Sequence, residues 1–579
     1  MAAGVSGQGG ATCETREGDQ VELVDLVVVG AGVAGMAAAL VAALQGLRVV
    51  LCEGSAQVGG TSATSAGTLW VPGNRLGGST DTVQAAAQYL EALIGPDDGR
   101  GLRQAFLDSG AQALDYLQQH SAAVRFAGAG THPDYLPGLP GAAVSGRAVG
   151  PLPFDGRLLG RDFARIRPPL PHFMLLGGMM VGKADIQALL QRWRRWYGFV
   201  HAARLVLRYA ADRLRHARGT RLVMGNALVA RLFLSLREAG VDLRFDWRLQ
   251  ALDADAGRVT GARFDTPAGV RRLQARAGVV LATGGVGHHA QLRAELGAQD
   301  QVPASLAAPP VAGIGITAAR AVGAQLERHT GDFFWQPVSR APLRGGGHAL
   351  FPHLFLDRAK PGLVAVDRQG RRFVDEAASY HHFVQGMLAA GAVPCWLVCD
   401  AAFLRRYGLG AVPPGRPGRR WLASGYLARA ASIAALAAQL GVDAAGLAST
   451  VAQHNAAARS GHDPAFGKGG NLFDRFNGDP GHAPNPCLGP IAQAPFYAVQ
   501  VWPADAASSA GLAVDRDGRV LAAADSQPIA GLYACGNDAA SLMRGAYPGP
   551  GTMLGPAVVG AYRIALHARQ QITNPRHSV

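Results

Sequence analysis

The stretch Val27-Val28-Val29-Gly30-Ala31-Gly32-Val33-Ala34-Gly35 decides the fold. Consecutive β-branched residues read as a buried strand, the glycines as a tight turn, and the alanine-rich run beyond as a helix. In a G-x-G-x-x-G turn the first glycine permits the reversal, the second lets backbone approach a pyrophosphate, and the third lets helix and strand pack closely. Gly30, Gly32 and Gly35 take these places. A second strand, Arg48-Val49-Val50-Leu51-Cys52-Glu53, completes a βαβ unit and ends on a carboxylate placed to accept hydrogen bonds from ribose hydroxyls. Two later apolar strands also end in glycine loops, Gly278 to Ala282 in Thr283-Gly284-Gly285, and Gly531 to Ala534 in Cys535-Gly536-Asn537. Both are expected to bring Gly284, Gly285, Gly536 and Asn537 to the same ligand. The fold class is therefore α/β. If the first and last segments complete one sheet, residues 301–503 form an inserted second domain, 23–300 and 504–579 the two parts of the nucleotide domain, and 1–22 a disordered tail.

At 579 residues, 49% hydrophobic and 17% charged, the chain has apolar material for two cores. A formal charge of +14 would suit nucleic acid or an anionic surface, yet lysine occurs only at Lys183, Lys360 and Lys468. So lopsided a use of arginine reads as composition bias, and with no aromatic-and-basic module present no nucleic-acid partner is expected. The cysteines, Cys13, Cys52, Cys395, Cys399, Cys487 and Cys535, have no spacing suited to zinc or an iron–sulfur cluster. No metal is expected, and buried free thiols in a reducing cytoplasm account for them. Residues 1–20 lack the charged start and apolar core of a secretory signal. The apolar run Leu26 to Leu44 is broken by its glycines and is not read as a membrane span.

Within a basic helical insertion over about 151–220, the segment Gln187 to Gly219 carries arginines at 192, 194, 195, 204, 208, 213, 215 and 218. Trp193, Trp196, Tyr197, Leu205, Val206 and Tyr209 are interleaved with them. Two readings stand: peripheral contact with a membrane surface, or a solvated arginine-rich helix with its aromatic face packed on the domain.

After Glu53-Gly54-Ser55 comes Gly59-Gly60-Thr61-Ser62-Ala63-Thr64-Ser65-Ala66-Gly67. Small hydroxyl-bearing residues and free backbone donors suit a loop wrapped around a flavin and its phosphates. The segment resembles the fumarate reductase and ketosteroid dehydrogenase flavoprotein superfamily. The resemblance implies a Rossmann-like FAD-binding domain with an inserted α+β catalytic domain that caps the substrate. It places Gly54, Gly60, Thr61, Ser62, Thr64, Ala66 and Gly67 at the cofactor, with Met553 and Leu554 near the C-terminus. No histidine lies between Gly59 and Gly67, so FAD is expected to be held non-covalently.

The run Met543-Arg544-Gly545-Ala546-Tyr547-Pro548-Gly549-Pro550-Gly551-Thr552-Met553-Leu554 resembles the 3-ketosteroid Δ1-dehydrogenases. So do Gly370-Arg371-Arg372-Phe373-Val374-Asp375-Glu376-Ala377-Ala378-Ser379-Tyr380 and Pro133-Asp134-Tyr135-Leu136-Pro137-Gly138. That family implies roles for four residues. The Tyr547 hydroxyl and the Gly551 N–H would bind the substrate ketone oxygen as an oxyanion hole, Tyr380 would act as general base, and Tyr135 would hydrogen-bond Tyr380 to assist it. The implied reaction takes a proton from carbon 2 to Tyr380 and a hydride from carbon 1 to flavin N5, and electrons pass on to an acceptor the sequence does not name. Two departures, a long region between Gly150 and Asn226 and Ala510-Gly511 in place of paired glycines, bear on the identity of the steroid. The rival readings are a Δ4-type ketosteroid dehydrogenase, a soluble fumarate reductase, and a flavin- or lipid-binding module without catalysis. A fumarate reductase must clamp a dicarboxylate with arginine and histidine, and no arginine lies between Arg372 and Arg405.

Overall fold

The computed structural model describes residues 21–573 apart from 79–80, 97–99, 183–184, 186–187, 190–195, 298–301, 303, 330 and 356. The strand Glu22–Val29 is almost wholly buried from Leu26 onward, as a central parallel strand must be when both faces are covered. It runs parallel between Val49–Glu53 and Gly269–Leu281. Asp242–Phe245 continues the sheet outward beyond Val49–Glu53, and Pro528–Ala534 lies beyond the other side of Gly269–Leu281. Val29 is level with Cys52 and Leu281, and Leu281 with Ala534. The strands' carboxyl ends thus form one row, and all three glycine loops leave from it, where open α/β sheets bind ligands.

The helices Val33–Leu44 and Leu554–Thr573 cover one face of this sheet through Val33 to Ala42, Val558, Ala561 and Ile564. On the other face Val27, Val29 and Leu281 share a core with Ile316 and Ala319 of the helix Ile314–Ala321. A second sheet has the order His348–Pro352, Phe333–Pro342, Phe496–Ser508, Cys395–Cys399, Leu363–Val366 along its main path, with antiparallel neighbours. The helix Tyr380–Ala389 packs Phe383, Val384 and Met387 against it.

The stretch expected as the inserted domain, 301–503, contributes to both layers. Ala304–Ser305 pairs with Ala504 and Asp505 of the second sheet, whereas the helix Ile314–Ala321 that follows buries its apolar side under the first, and Leu326–Glu327 pairs with Gly511–Leu512. Position 503 falls inside the long strand Phe496–Ser508. The expected tail 1–22 and Cys13 lie almost wholly outside the described residues, and the other five cysteines are buried free thiols, Cys395 and Cys399 included. Among the described residues no group of three His, Cys, Asp or Glu side chains could hold a metal, and no helix is long and apolar enough to cross a membrane.

Of the basic segment, Gln187, Arg192, Trp193, Arg194 and Arg195 lie outside the described residues. A helix runs Trp196–Arg213 and packs Gly198, Ala202, Leu205 and Asp212 inward. Trp196 and Tyr197 are exposed, so the reading that packs the aromatic face on the domain fails for these two residues. Gly198, Ala202 and Leu205 recur at helical spacing on the inward side, joined by the Tyr209 ring, which leaves Trp196 on the opposite side.

Candidate active site

Gly30 closes the turn at φ +101, where a side chain would run into the main chain of Ala282 and Thr283. At Gly35 a Cβ would lie 1.9 Å from the Gly30 oxygen, which is the close helix-to-strand approach expected of the third glycine. Gly32 has no atom within 4 Å of its would-be Cβ and faces open space at the start of Val33–Leu44. Glu53 is buried, and burial raises its pKa. One carboxylate oxygen accepts from Ala31 N at 2.8 Å, the other from Ser55 N and Oγ at 2.9 and 2.8 Å. The oxygen bound by Ala31 N alone has a second acceptor site, so the carboxylate retains capacity for a ribose hydroxyl. Gly54 lies next to Arg248.

The loop Gly60–Thr64 is a 3₁₀ turn tied to its surroundings by its own hydroxyls. Thr61 Oγ1 accepts from Ala308 N at 2.9 Å, Thr64 Oγ1 donates to Thr61 O, and Ser62 Oγ lies 3.4 Å from Val33 N. Ala66 is exposed, and Gly67, at φ +70, abuts the Met224 and Gly225 backbone. Across the row of strand ends, Asp538 fastens two loops together. It is fully buried and accepts from Gly285 N at 2.8 Å, from Thr283 Oγ1 at 3.0 Å and from Thr283 N. A side chain on Gly285 would strike the Ser508 hydroxyl and Asn537, and one on Gly536 would strike Ala34. Gly536 thus approaches the start of the first helix at Ala34, Gly285 meets Asn537, and Gly284 packs on Val311. Met553 and Leu554 stand half-buried at the start of the last helix.

The three tyrosines come together although the sequence separates them widely. Tyr135 O–H donates to the Tyr380 oxygen at 3.1 Å, and Tyr380 also hydrogen-bonds Tyr547. The Tyr135 and Tyr547 rings stack with centroids 5.5 Å apart, and Tyr380 stands edge-on to both. All three are buried, and burial pushes each pKa well above the ordinary value. Phe355, Phe473 and Phe334 wall the cluster.

Each ring has its own anchor. Tyr135 N donates to Pro548 O at 2.9 Å, which joins its loop to the Tyr547 loop. Next to it, buried Asp134 takes Trp70 Nε1 at 2.8 Å and Arg147 Nη1 at 2.7 Å. Tyr380 opens its helix directly after Ser379, whose hydroxyl caps it by accepting from His382 N. Gly551 sits at φ +98 with its oxygen accepting from Trp70 N at 3.1 Å.

Residues 25–554 match the FAD binding domain family. A 4-oxocyclohex-2-ene-1-carboxylate 5-dehydrogenase of Sinomonas cyclohexanicum is 38% identical over 93% of this chain and 92% of that protein. A 3-oxosteroid 1-dehydrogenase of Mycolicibacterium smegmatis is 37% identical over 94% of this chain and 96% of its own length. The solved structure of 3-ketosteroid Δ1-dehydrogenase from Sterolibacterium denitrificans, in complex with 1,4-androstadiene-3,17-dione, superposes with a TM-score of 0.86. It is 34% identical over 95% of this chain and 100% of that one. The chain belongs to the 3-ketosteroid Δ1-dehydrogenase family of FAD-binding proteins.

The residues present fit the FAD that this family carries. Ser508 and Ser509 hold buried hydroxyls without a hydrogen-bond partner, and the Ser508 hydroxyl lies against Gly285 at the row of strand ends. Buried polar atoms are seldom left unpaired, and a flavin's ring nitrogens and oxygens would satisfy them. The sequence reading missed these serines, Asp538 as the fastener of two loops, and the aromatic wall. The signal for Asp538 was adjacent, in Gly536-Asn537-Asp538; Phe355 and Phe473 carry none, since an isolated phenylalanine looks like any core residue.

Proposed function

We propose that this member of the 3-ketosteroid Δ1-dehydrogenase family dehydrogenates a 3-ketosteroid between carbons 1 and 2, using non-covalently held FAD. The observation that carries the reading is the mutual contact of three buried tyrosines from distant segments, with the Tyr135 and Tyr380 hydroxyls 3.1 Å apart. Bound FAD supplies the two-electron acceptor for the hydrogen that leaves carbon 1. Tyr547 O–H and Gly551 N–H donate to the ketone oxygen and stabilise the charge it gains, which acidifies carbon 2. Tyr380 takes the carbon 2 proton, with the Tyr135 O–H donating to its oxygen at 3.1 Å. The aromatic wall excludes water from the developing enolate. Gly30, Gly32, Gly35 and the Gly60–Gly67 loop hold the pyrophosphate, Glu53 the ribose.

The relative acting on a 4-oxocyclohexene carboxylate favours a second reading, a small cyclic keto acid with the same bond removed beside a ketone. A carboxylate substrate needs a cation at the pocket. The nearest buried arginines are engaged, Arg147 with Asp81 and Asp134, and Arg358 with main-chain oxygens, so the apolar substrate is preferred. Turnover of a panel of 3-ketosteroids and 4-oxocyclohexane carboxylates with an artificial acceptor, with products identified by NMR, decides between them. Turnover of the acids alone would reject the steroid assignment. Tyr380→Phe and Tyr547→Phe should each retain FAD and lose about 100-fold or more in kcat; near-normal rates would remove the assigned role. Heat denaturation followed by ultrafiltration should release all yellow colour, and colour kept with the protein would mean a covalent bond.

The helix Trp196–Arg213 supports peripheral contact with an anionic lipid surface. Its outward stripe, Trp196, Phe199, Leu207 and, just past its end, Leu214, is 77%, 43%, 70% and 85% exposed. Exposed Arg204, Arg213 and Arg215 accompany the stripe. Leu176, at a hairpin tip held by Tyr209 O–H donating to its carbonyl at 3.0 Å, extends the apolar patch. The only acid from Trp196 to Gly219, Asp212, is buried and paired with Arg157. An apolar stripe bounded by arginine is the pattern of an interfacial helix. Flotation with phosphatidylglycerol vesicles at low salt should carry the protein upward, and Trp196→Glu with Leu207→Glu should abolish it; no flotation of the parent rejects the contact.

A further inference from the structure

We propose that Arg358 is a positioning residue for this reaction, whose guanidinium pins together the two chain segments that deliver Phe355 and Tyr380 and sets a positive charge beside Tyr380. The inference rests on Tyr380 acting as the base. Arg358 is fully buried, yet its guanidinium hydrogen bonds go to main-chain oxygens rather than to a carboxylate. Nε donates to His353 O at 2.9 Å and Nη2 to Leu354 O at 2.5 Å, on the segment running directly into Phe355. Nη1 donates to Glu376 O at 2.8 Å and Ala378 O at 3.1 Å, on the loop running into Ser379 and Tyr380. One turn further along the Tyr380 helix, the Phe383 ring lies 4.7 Å from the guanidinium carbon. A planar fork with five donors can hold both segments at once, and no other side chain can.

Asp357, Asp375 and Glu376 act on this cation through charge, yet the hydrogen bonds of its guanidinium all go to main-chain oxygens. Glu376 is bound by Arg372 and Lys468, and Asp463 by Arg372. Asp375 is paired with Asp474 through a hydrogen bond. Asp357 accepts from His353 Nδ1 and from Gly410 N, and from Arg358 through its main-chain N–H alone. The titratable side chains hydrogen-bonded to Tyr380 are Tyr135 and Tyr547, while His381 and His382, on its own helix, are pushed by burial to about 3 and about 4 and stay neutral. Arg358 is the cation that favours the Tyr380 phenolate.

Steady-state kinetics on flavin-loaded Arg358→Gln, Arg358→Lys and Tyr380→Phe enzymes test this. Arg358→Gln should lose about 100-fold in kcat, the scale of a misplacement near 1 Å, with KM and steroid binding to the oxidised enzyme little changed. The limb of kcat that rises as Tyr380 loses its proton should move to higher pH, because the phenolate has lost its cation. Arg358→Lys should leave that limb in place while kcat stays below the parent's, since the charge returns without the fork. A purely structural part would instead lower kcat by one factor at every pH, in step with flavin content, and that result overturns the proposal. Should Arg358→Gln fail to fold, Arg358→Lys decides alone: parental kcat overturns the proposal. An active Tyr380→Phe enzyme would bring down the base assignment itself, whereas an inactive one beside an unmoved Arg358→Gln limb brings down only the part given to Arg358.

Discussion

Gly551 shows what a single residue contributes where no side chain exists. Its φ of +98 is left-handed backbone that costs an L-residue about 1–2 kcal/mol, and a Cβ there would lie 2.5 Å from Leu69 C and Trp70 N. Neither neighbour can yield, because Trp70 N donates to Gly551 O and the Trp70 indole is fixed by Asp134. Gly551→Ala should therefore displace its own N–H from the ketone and lower kcat by about 100-fold, the cost of one oxyanion donor, with Tyr135 and Tyr380 still in contact. Steady-state kinetics with a 3-ketosteroid check this, and a loss confined to KM would mean that the N–H binds without stabilising the transition state. The turn at Gly551 was legible in the sequence because Tyr547-Pro548-Gly549-Pro550-Gly551 is dense in proline and glycine. Arg358 was not, since one arginine among so many gives no sign that main-chain oxygens from two separate segments will converge on it.

A hydrogen bond between Asp375 and Asp474 ties the loop before the Tyr380 helix to the short helix whose Phe473 backs Tyr135. Asp375 precedes the helix Tyr380–Ala389, and Asp474 lies in Leu472–Asn477 beside Phe473, whose ring is 4.9 Å from Tyr135. Burial, and then the Asp474 charge, raise Asp375 to about 8, so the folded protein keeps a proton that an unfolded chain gives up near pH 4. A folded pKa above the unfolded one contributes stability in full below the unfolded value and loses it as pH rises through the folded value. Between about pH 4 and about 8, then, the parent should lose melting temperature relative to Asp375→Asn, which keeps a donor to Asp474 and has no proton to release. Melting curves across that range check the sign, and parallel profiles would show that the two acids do not share the proton. Sequence could name the Tyr380 segment but not this tie, because nothing local tells one aspartate that another will be buried against it.

At the scale of the whole chain, the two layers meet in one continuous core. Phe334, Tyr380 and Phe473 of the capping layer belong to the same buried cluster as Val33, Trp70 and Ile564 of the first. The glycine turns and strand ends were readable because each is a local signal, whereas the sheet covered by the helix Ile314–Ala321 was not, because an apolar helical side does not say which sheet it will cover. The shared core predicts how the protein responds to removal of its cofactor. Asp538 still holds the Thr283 and Gly536 loops together, so the strand ends keep their shape. Ser508 and Ser509, however, are left with buried hydroxyls that lack partners, each worth about 1–3 kcal/mol when unsatisfied. Because one core joins both layers, that loss should lower a single cooperative transition rather than split it. Calorimetry on the deflavinated protein should show one peak at reduced temperature, which rises again with the logarithm of added FAD, about 1.4 kcal/mol per tenfold above saturation. NAD, which the same glycine turn could accept in isolation, should not shift it, since it offers no flavin ring to the two serines. Two separated peaks would mean that the tyrosine cluster does not bind the layers into one unit.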